Sequence, residues 1–283
     1  MKIAVVGGGG VGGYVAAKLS RQCPLDLISA SLSRLRVKEQ GQIIIYDLPI
    51  YPTPPKGAIY DVVIFATKSF VLEEAAKKML SHVNDKTIIL PLLNGIEPYE
   101  RLREIFSSSK VIKGAIYIIS NRFGDIIELK GKGAMVVMED CGPKCQELAK
   151  CFENSGIKTK LPKDIDRAIW QKYLFIAATA ALTTLYDATF GQISNEHIEE
   201  FEALLDEIIE VAKSQGVHLK EEDKTRAIGL LKKSPADAKT SMQLDFEKGD
   251  RSELENLIGY LANKSALFRQ IYQSLKECQK QLR

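Results

Sequence analysis

The stretch MKIAVVGGGGVGG, residues Met1 to Gly13, decides the fold. Lys2 to Val6 is short, mostly apolar and partly β-branched, the pattern of a buried parallel strand. It breaks into Gly7-Gly8-Gly9-Gly10-Val11-Gly12, which satisfies G-x-G-x-x-G with Gly7, Gly9 and Gly12 in the glycine places. Val11 to Arg21 follows as an amphipathic helix with Val15, Ala16 and Leu19 able to face a sheet. The glycines allow a tight turn, a close backbone approach to pyrophosphate and close packing of helix on strand. Unpaired N–H groups and the positive end of the helix dipole point at the phosphates. A glycine run can also be a plain flexible turn, but a strand before it and a helix after it favour a dinucleotide site. Gly7, Gly8, Gly9, Gly10, Val11 and Gly12 are its expected cofactor-binding residues.

The end of the second strand selects the dinucleotide. Pro24 to Ser29 reads as that strand, and an NAD site usually places Asp or Glu there for the ribose 2′-hydroxyl. This chain has Ser29, Ala30 and Ser31, then Ser33, Arg34, Arg36 and Lys38. With no carboxylate to repel a 2′-phosphate, and hydroxyl and guanidinium groups to bind one, the segment favours NADPH, held by Ser31 and Arg34. The bland alternative is a solvated basic helix face.

At 283 residues the chain has room for two domains, each with its own core. Charged residues make up 27% and the net charge is +3, a balance with no sign of nucleic-acid or membrane binding. Ala168 to Tyr186, the most apolar stretch, carries Gln171, Lys172 and several threonines and tyrosines, and is not expected to span a bilayer. The first residues form a strand rather than a signal peptide. Five cysteines, with no CxxC, suggest a reducing compartment, no disulfide framework and a cytoplasmic protein. Cys141, Cys145 and Cys151 have no histidine nearby, so no metal site is expected.

After a Pro-rich segment, Pro49 to Gly57, the strand Tyr60 to Thr67 ends in Lys68-Ser69, and Val71 to Leu80 is helical. Thr87 to Leu93 is the next strand, closing in Asn94-Gly95 before a helix from Pro98 to Phe106. This βαβα alternation predicts a Rossmann-like, doubly wound parallel sheet with ligand at the carboxyl ends of its strands, where Lys68 and Asn94 stand. Lys110 to Ser120, Asp125 to Lys130 and Ala134 to Glu139 read as strands of an edge meander. Cys145 to Ser155 is a helix and Ile157 to Leu161 a last strand. From Asp164 helical periods take over: Ala168–Tyr186, Glu196–Gln215, Lys220–Lys233, Ser241–Glu247 and Glu253–Leu282. Ser194 and Ser234 read as helix starts, and Gly191, Gly216 and Gly249 as stops. The expected α/β plan is a dinucleotide-binding domain over 1–162, an all-helical domain over 163–283, and an active site in the cleft between them.

The helix AIWQKYLFIAATAALTTLY has Lys172 as its only charge. Positions 169, 173, 176, 177 and 180 are apolar or aromatic and lie on its side or next to it. A lysine desolvated there has the lowered pKa that proton transfer requires, unless its stem packs on the helix and its ammonium reaches water. Further on, Ser241 to Glu253 reads SMQLDFEKGDRSE. Taken singly, Ser241 suits an N-cap and Glu253 a first helical turn.

The glycine loop, Lys68 after YDVVIFAT, Asn94-Gly95, Trp170-x-Lys172 and the SMxxDxExG…SE run recur in this order in ketopantoate reductases, which the chain resembles over nearly its whole length. The resemblance implies reduction of the ketone of 2-dehydropantoate to pantoate with NADPH, a step of pantothenate and coenzyme A synthesis. It implies Lys172 as general acid, Asn94 contacting both substrate and cofactor, and Lys68 beside the cofactor. Ser241 and Glu253 would bind substrate. The partner is then a small 2-keto acid, and the protein a monomer or homodimer.

Two positions depart from the family pattern. Asparagines usual four and eight residues after the lysine are here Ile176 and Ala180, which removes hydrogen bonds to a polar substrate. A reductase of a less polar 2-keto acid, or a non-catalytic NADP-binding regulatory protein, are the alternatives this opens. The arginine common after the second strand is also displaced, with Ala30 in its place and Arg34 nearby.

Overall fold

The computed structural model describes residues 1–281 and divides the chain into two compact units. The first comprises Met1–Leu93 and Pro98–Ile165, and the second Asn94–Glu97 and Asp166–Arg283. The four residues Asn94–Glu97, which follow the fifth strand of the parallel sheet, thus belong with the helical unit, although they lie deep inside the first unit's sequence.

In the first unit, β1 (Ile3–Val6), β2 (Leu25–Ile28), β5 (Ile50–Tyr51), β6 (Val62–Phe65), β7 (Ile88–Pro91) and β8 (Lys110–Val111) form a parallel sheet. Its order is β5-β2-β1-β6-β7-β8. Alternation along β1 builds two cores. Ile3 and Val5 face α1 (Gly10–Leu19), while Ala4 and Val6 face α2 (Leu72–Met79) and α3 (Glu97–Ile105). This is the expected doubly wound arrangement, with the sheet buried on both faces.

The edge meander is not what forms. β3 (Leu35–Glu39), β4 (Gln42–Tyr46), β9 (Gly114–Phe123), β10 (Ile126–Met138) and β11 (Lys158–Lys160) make a second sheet, ordered β11-β10-β3-β4 with β9 on β10. The long β9–β10 hairpin shifts register between Lys130 and Met135, and β10 runs parallel to β3. The basic run after the second strand is therefore strand, not helix face. Arg36 pairs with Asp125, and Lys38 Nζ lies 2.8 Å from Glu128 Oε1. α4 (Pro143–Asn154) closes this side of the unit.

The cysteines also depart from expectation. The Gly142 amide donates to Asp140 Oδ1 at 2.9 Å and turns the chain back, so that Cys145 in the first turn of α4 forms a disulfide with Cys141. Cys23, Cys151 and Cys278 are free.

The second unit is helical: α5 (Ile165–Leu185), α6 (Phe190–Glu196), α7 (Ile198–Ser214), α8 (Glu221–Lys233), α9 (Ser241–Glu247), α10 (Tyr260–Ala262) and α11 (Ala266–Gln281). Its core gathers α5, α7 and α11 residues such as Leu174, Ala181, Phe201, Ile208 and Phe268. Several helix ends differ from the sequence reading. α6 starts at Phe190 with a capping box between Thr189 and Gln192, so Gly191 and Ser194 lie inside it, and Ser234 ends α8 rather than starting a helix. The long helix expected from Glu253 is broken into a π-helical turn (Glu255–Gly259), α10 and α11; its expected last residue, Leu282, lies outside the described residues. Among the described residues no single helix is long and apolar enough to cross a membrane.

Candidate active site

Two groups of residues, one in each unit, are the candidates for the site. In the first unit the glycine loop leaves β1 and enters α1 under tight steric control. Gly7 has φ +115°, and a Cβ there would stand 2.5 Å from the Ala66 carbonyl oxygen. A Cβ at Gly12 would collide with the Gly7 carbonyl, at Gly8 with Ser29, and at Gly10 with the Ser120 carbonyl of β9. Gly9 is the exception, with open space where a Cβ would stand. It is also the N-cap of α1 and makes no side-chain cap, which leaves the first helical N–H groups without a side-chain acceptor. An open glycine at an uncapped helix start fits the pyrophosphate of a dinucleotide.

At the carboxyl end of β2, Ser31 and Arg34 are exposed and no acidic residue follows the strand. The Ser31 hydroxyl accepts from Arg122 Nη1 at 2.7 Å, and the same nitrogen donates to the Gly8 carbonyl at 3.1 Å. Arg122 Nη2 bonds the Ser31 carbonyl. A guanidinium from β9 thus ties the glycine loop to the turn after β2. Nothing in the sequence points to it, because its place depends on the pairing of β9 with β10. Lys68, exposed, stands three residues past the end of β6 and is the N-cap of the short helical turn Ser69–Val71.

In the second unit Lys172 lies on α5, whose Trp170 and Tyr173 belong to an aromatic cluster. Trp170, Tyr173 and Tyr260 pack edge to face or tilted, with centroids 5.5 to 6.4 Å apart. Lys172 Nζ donates to Asn94 Oδ1 at 2.8 Å. The residue is partly buried. Burial pushes its pKa down to about 8, against the opposing attraction of the Glu253 carboxylate. Glu253 is 6% exposed and Ser252 beside it equally buried.

Of the residues expected to bind substrate, Asn94 and Glu253 therefore gather at Lys172. Ser241 does not bond to them. It is exposed at the first position of α9, and the cap of that helix is Thr240, whose hydroxyl accepts from the Gln243 amide. Of the two positions that depart from the asparagine pattern, Ala180 is packed into the helical core and Ile176 is partly buried against it. A residue absent from the sequence reading, Asn256, donates from Nδ2 to the Asn94 carbonyl at 2.6 Å.

An α/β unit with a dinucleotide-type loop, joined in sequence to a helical unit with a low-pKa lysine, matches one family over most of the chain. Residues 3–140 match the model of ketopantoate reductase PanE/ApbA, and residues 164–267 that of its C-terminal part. The chain belongs to the ketopantoate reductase family. It is similar to the uncharacterized oxidoreductase YkpB of Bacillus subtilis, 29% identical across 94% of this chain and 92% of that protein. It is 28% identical to the 2-dehydropantoate 2-reductase of Aquifex aeolicus, across 92% of this chain and 88% of that one. In fold it is similar to a D-mandelate dehydrogenase solved with NADH and anilino(oxo)acetate, with a TM-score of 0.90, 19% identity and complete coverage of this chain and 99% of that one. As a member of the ketopantoate reductase family the chain is an oxidoreductase, and its glycine loop suits a nicotinamide dinucleotide.

Proposed function

We propose that this member of the ketopantoate reductase family reduces 2-dehydropantoate to (R)-pantoate with NADPH, serving pantothenate and coenzyme A synthesis. The observation that carries the reading is the Lys172 ammonium, held by Asn94 Oδ1 and faced by Glu253, with its pKa lowered to about 8. Such a group is largely protonated at neutral pH and acidic enough to give its proton up.

When bound, the cofactor supplies hydride to the ketone carbon. Negative charge then builds on the ketone oxygen, and the Lys172 ammonium stabilises that charge and transfers a proton to it, leaving a hydroxyl and a neutral amine. The amine regains its proton from solvent. Asn94 orients Nζ through its acceptor oxygen, while Glu253 favours the charged form of the lysine and so keeps the acid loaded. Gly7 to Gly12 would hold the pyrophosphate, Ser31 and Arg34 the 2′-phosphate, and Lys68 would lie by the cofactor. Ser241 is the remaining expected substrate contact.

Ile176 favours a second reading, in which the substrate is a less polar 2-keto acid: a partly buried branched alkyl side chain one helical turn from Lys172 offers no partner to a substrate hydroxyl. The test is NADPH oxidation by the purified protein with 2-dehydropantoate, beside NADH and a set of apolar 2-keto acids. Turnover of 2-dehydropantoate with NADPH supports the first reading, and turnover confined to apolar acids the second. NADPH binding with no turnover on any of them rejects both and leaves a regulatory role.

A further inference from the structure

The Asn94-Gly95 turn, which presents the acceptor for Lys172, is covered by one side chain from far along the chain. Asn256 is 2% exposed, and its Nδ2 bonds the Asn94 carbonyl at 2.6 Å. The rest of the amide lies over the next residue. A Cβ on Gly95 would stand 2.6 Å from Asn256 Nδ2, 2.9 Å from Oδ1 and 3.0 Å from Cγ. Gly95 also has φ +94°, so both the turn and its cover require glycine there. Asn256 Oδ1 is buried with no hydrogen-bond partner, a cost the amide bears in this position. It sits in the π-helical turn Glu255–Gly259, whose wider winding is an arrangement common at functional sites. That turn is itself pinned to α5, because the buried Tyr173 hydroxyl donates to the Leu257 carbonyl at 2.6 Å.

We infer that Asn256 is a positioning residue: by clamping the Asn94-Gly95 turn against the π-helical turn, it holds Asn94 Oδ1 where it accepts from Lys172. This rests on the reading of Lys172 as proton donor, but the geometry predicts a property of the lysine that needs no turnover to observe. Asn94 Oδ1 stabilises the ammonium more than the amine, so releasing Asn94 lowers the Lys172 pKa. The charged group acting on Lys172 is Glu253, just before the π-helical turn, while Glu97 acts on the neighbouring Tyr173, whose hydroxyl burial holds neutral. Neither carboxylate is touched by the substitutions below.

The test is competitive acetylation of Lys172 by limiting acetic anhydride across pH 6 to 11, read by mass spectrometry. It is run on the wild-type protein, Asn94→Ala, Asn256→Leu, Asn256→Ala and the double variant Asn94→Ala/Asn256→Leu, after thermal unfolding has shown which are folded. Leucine keeps the volume of Asn256 without its donor, and alanine serves if leucine does not fold. The expected result is a fall of about one pH unit in the Lys172 midpoint for Asn94→Ala, a fall of the same size for either Asn256 variant, and no further fall in the double variant. A midpoint unchanged by the Asn256 variants, or shifts that add in the double variant, overturns the clamp. If the wild-type protein reduces no 2-keto acid while the midpoints move as stated, the proposed function fails and the clamp stands.

Discussion

Lys172 could be singled out in the sequence because charge is rare on the apolar face of a core helix. The sequence could not say how its ammonium is held, since that depends on Asn94 and Glu253 coming to it from two other places in the chain. With its pKa near 8, activity that needs the ammonium is full below that value and falls as pH rises through it. A plot of kcat/KM against pH should therefore bend down near pH 8, and a flat profile to pH 9.5 would reject Lys172 as the acid. Glu253 raises the lysine pKa, so Glu253→Gln should move the bend to lower pH. Lys172→Ala should lower kcat by about 10²- to 10⁴-fold while NADPH affinity, measured by fluorescence titration, stays within about twofold. Asn256 escaped the sequence reading for a plain reason. An asparagine in a helical run carries no signal of its own, and its value lies wholly in the turn it covers.

Elements were more legible than their partners. The alternation of apolar strands and helices up to Phe106 was sufficient for the parallel sheet, because strands buried on both faces leave continuous β-branched runs. The second sheet was not legible: β3 and β9 read as a basic segment and an edge strand until β10 pairs with both. The break after Glu253 was equally hidden, since a π-helical turn keeps every residue helical in composition. Helix α5, which carries the lysine, is anchored at its start by Asp223 of α8. Arg167 reaches both carboxylate oxygens at 3.1 and 3.2 Å, Gln171 Nε2 lies 2.6 Å away, and the Lys220 amide donates at 2.9 Å. Burial pushes the Asp223 carboxyl up, but the Lys220 amide, Gln171 and Arg167 together outweigh it and hold its pKa below the usual range. Its contribution to stability is then present above the unfolded value of about 4 and lost as pH falls further. Asp223→Ala removes the acceptor shared by Arg167, Gln171 and the Lys220 amide and should cost about 2 kcal/mol by urea unfolding at pH 7. A loss under about 0.5 kcal/mol would show that α5 is held by its apolar face alone.

For the whole molecule, ligand binding and stability are linked. NADPH at about a hundred times its Kd should stabilise the fold by about 2.7 kcal/mol, seen as a rise in Tm. NADH at the same concentration should raise Tm less, since Ser31 and Arg34 stand where a carboxylate would favour the unphosphorylated cofactor; equal shifts would reject the NADPH preference. The partition of the chain has a further consequence, for the order in which the protein can be made. Asn94 and Asn256 are 162 residues apart, and Asn94 and Lys172 are 78 apart. During translation the parallel sheet can be completed while residues 94–97 still wait for partners that have not left the ribosome. The loop for the dinucleotide can form early in the nascent chain. The acceptor for the Lys172 ammonium is fixed in place only when the last third of the protein has been synthesised.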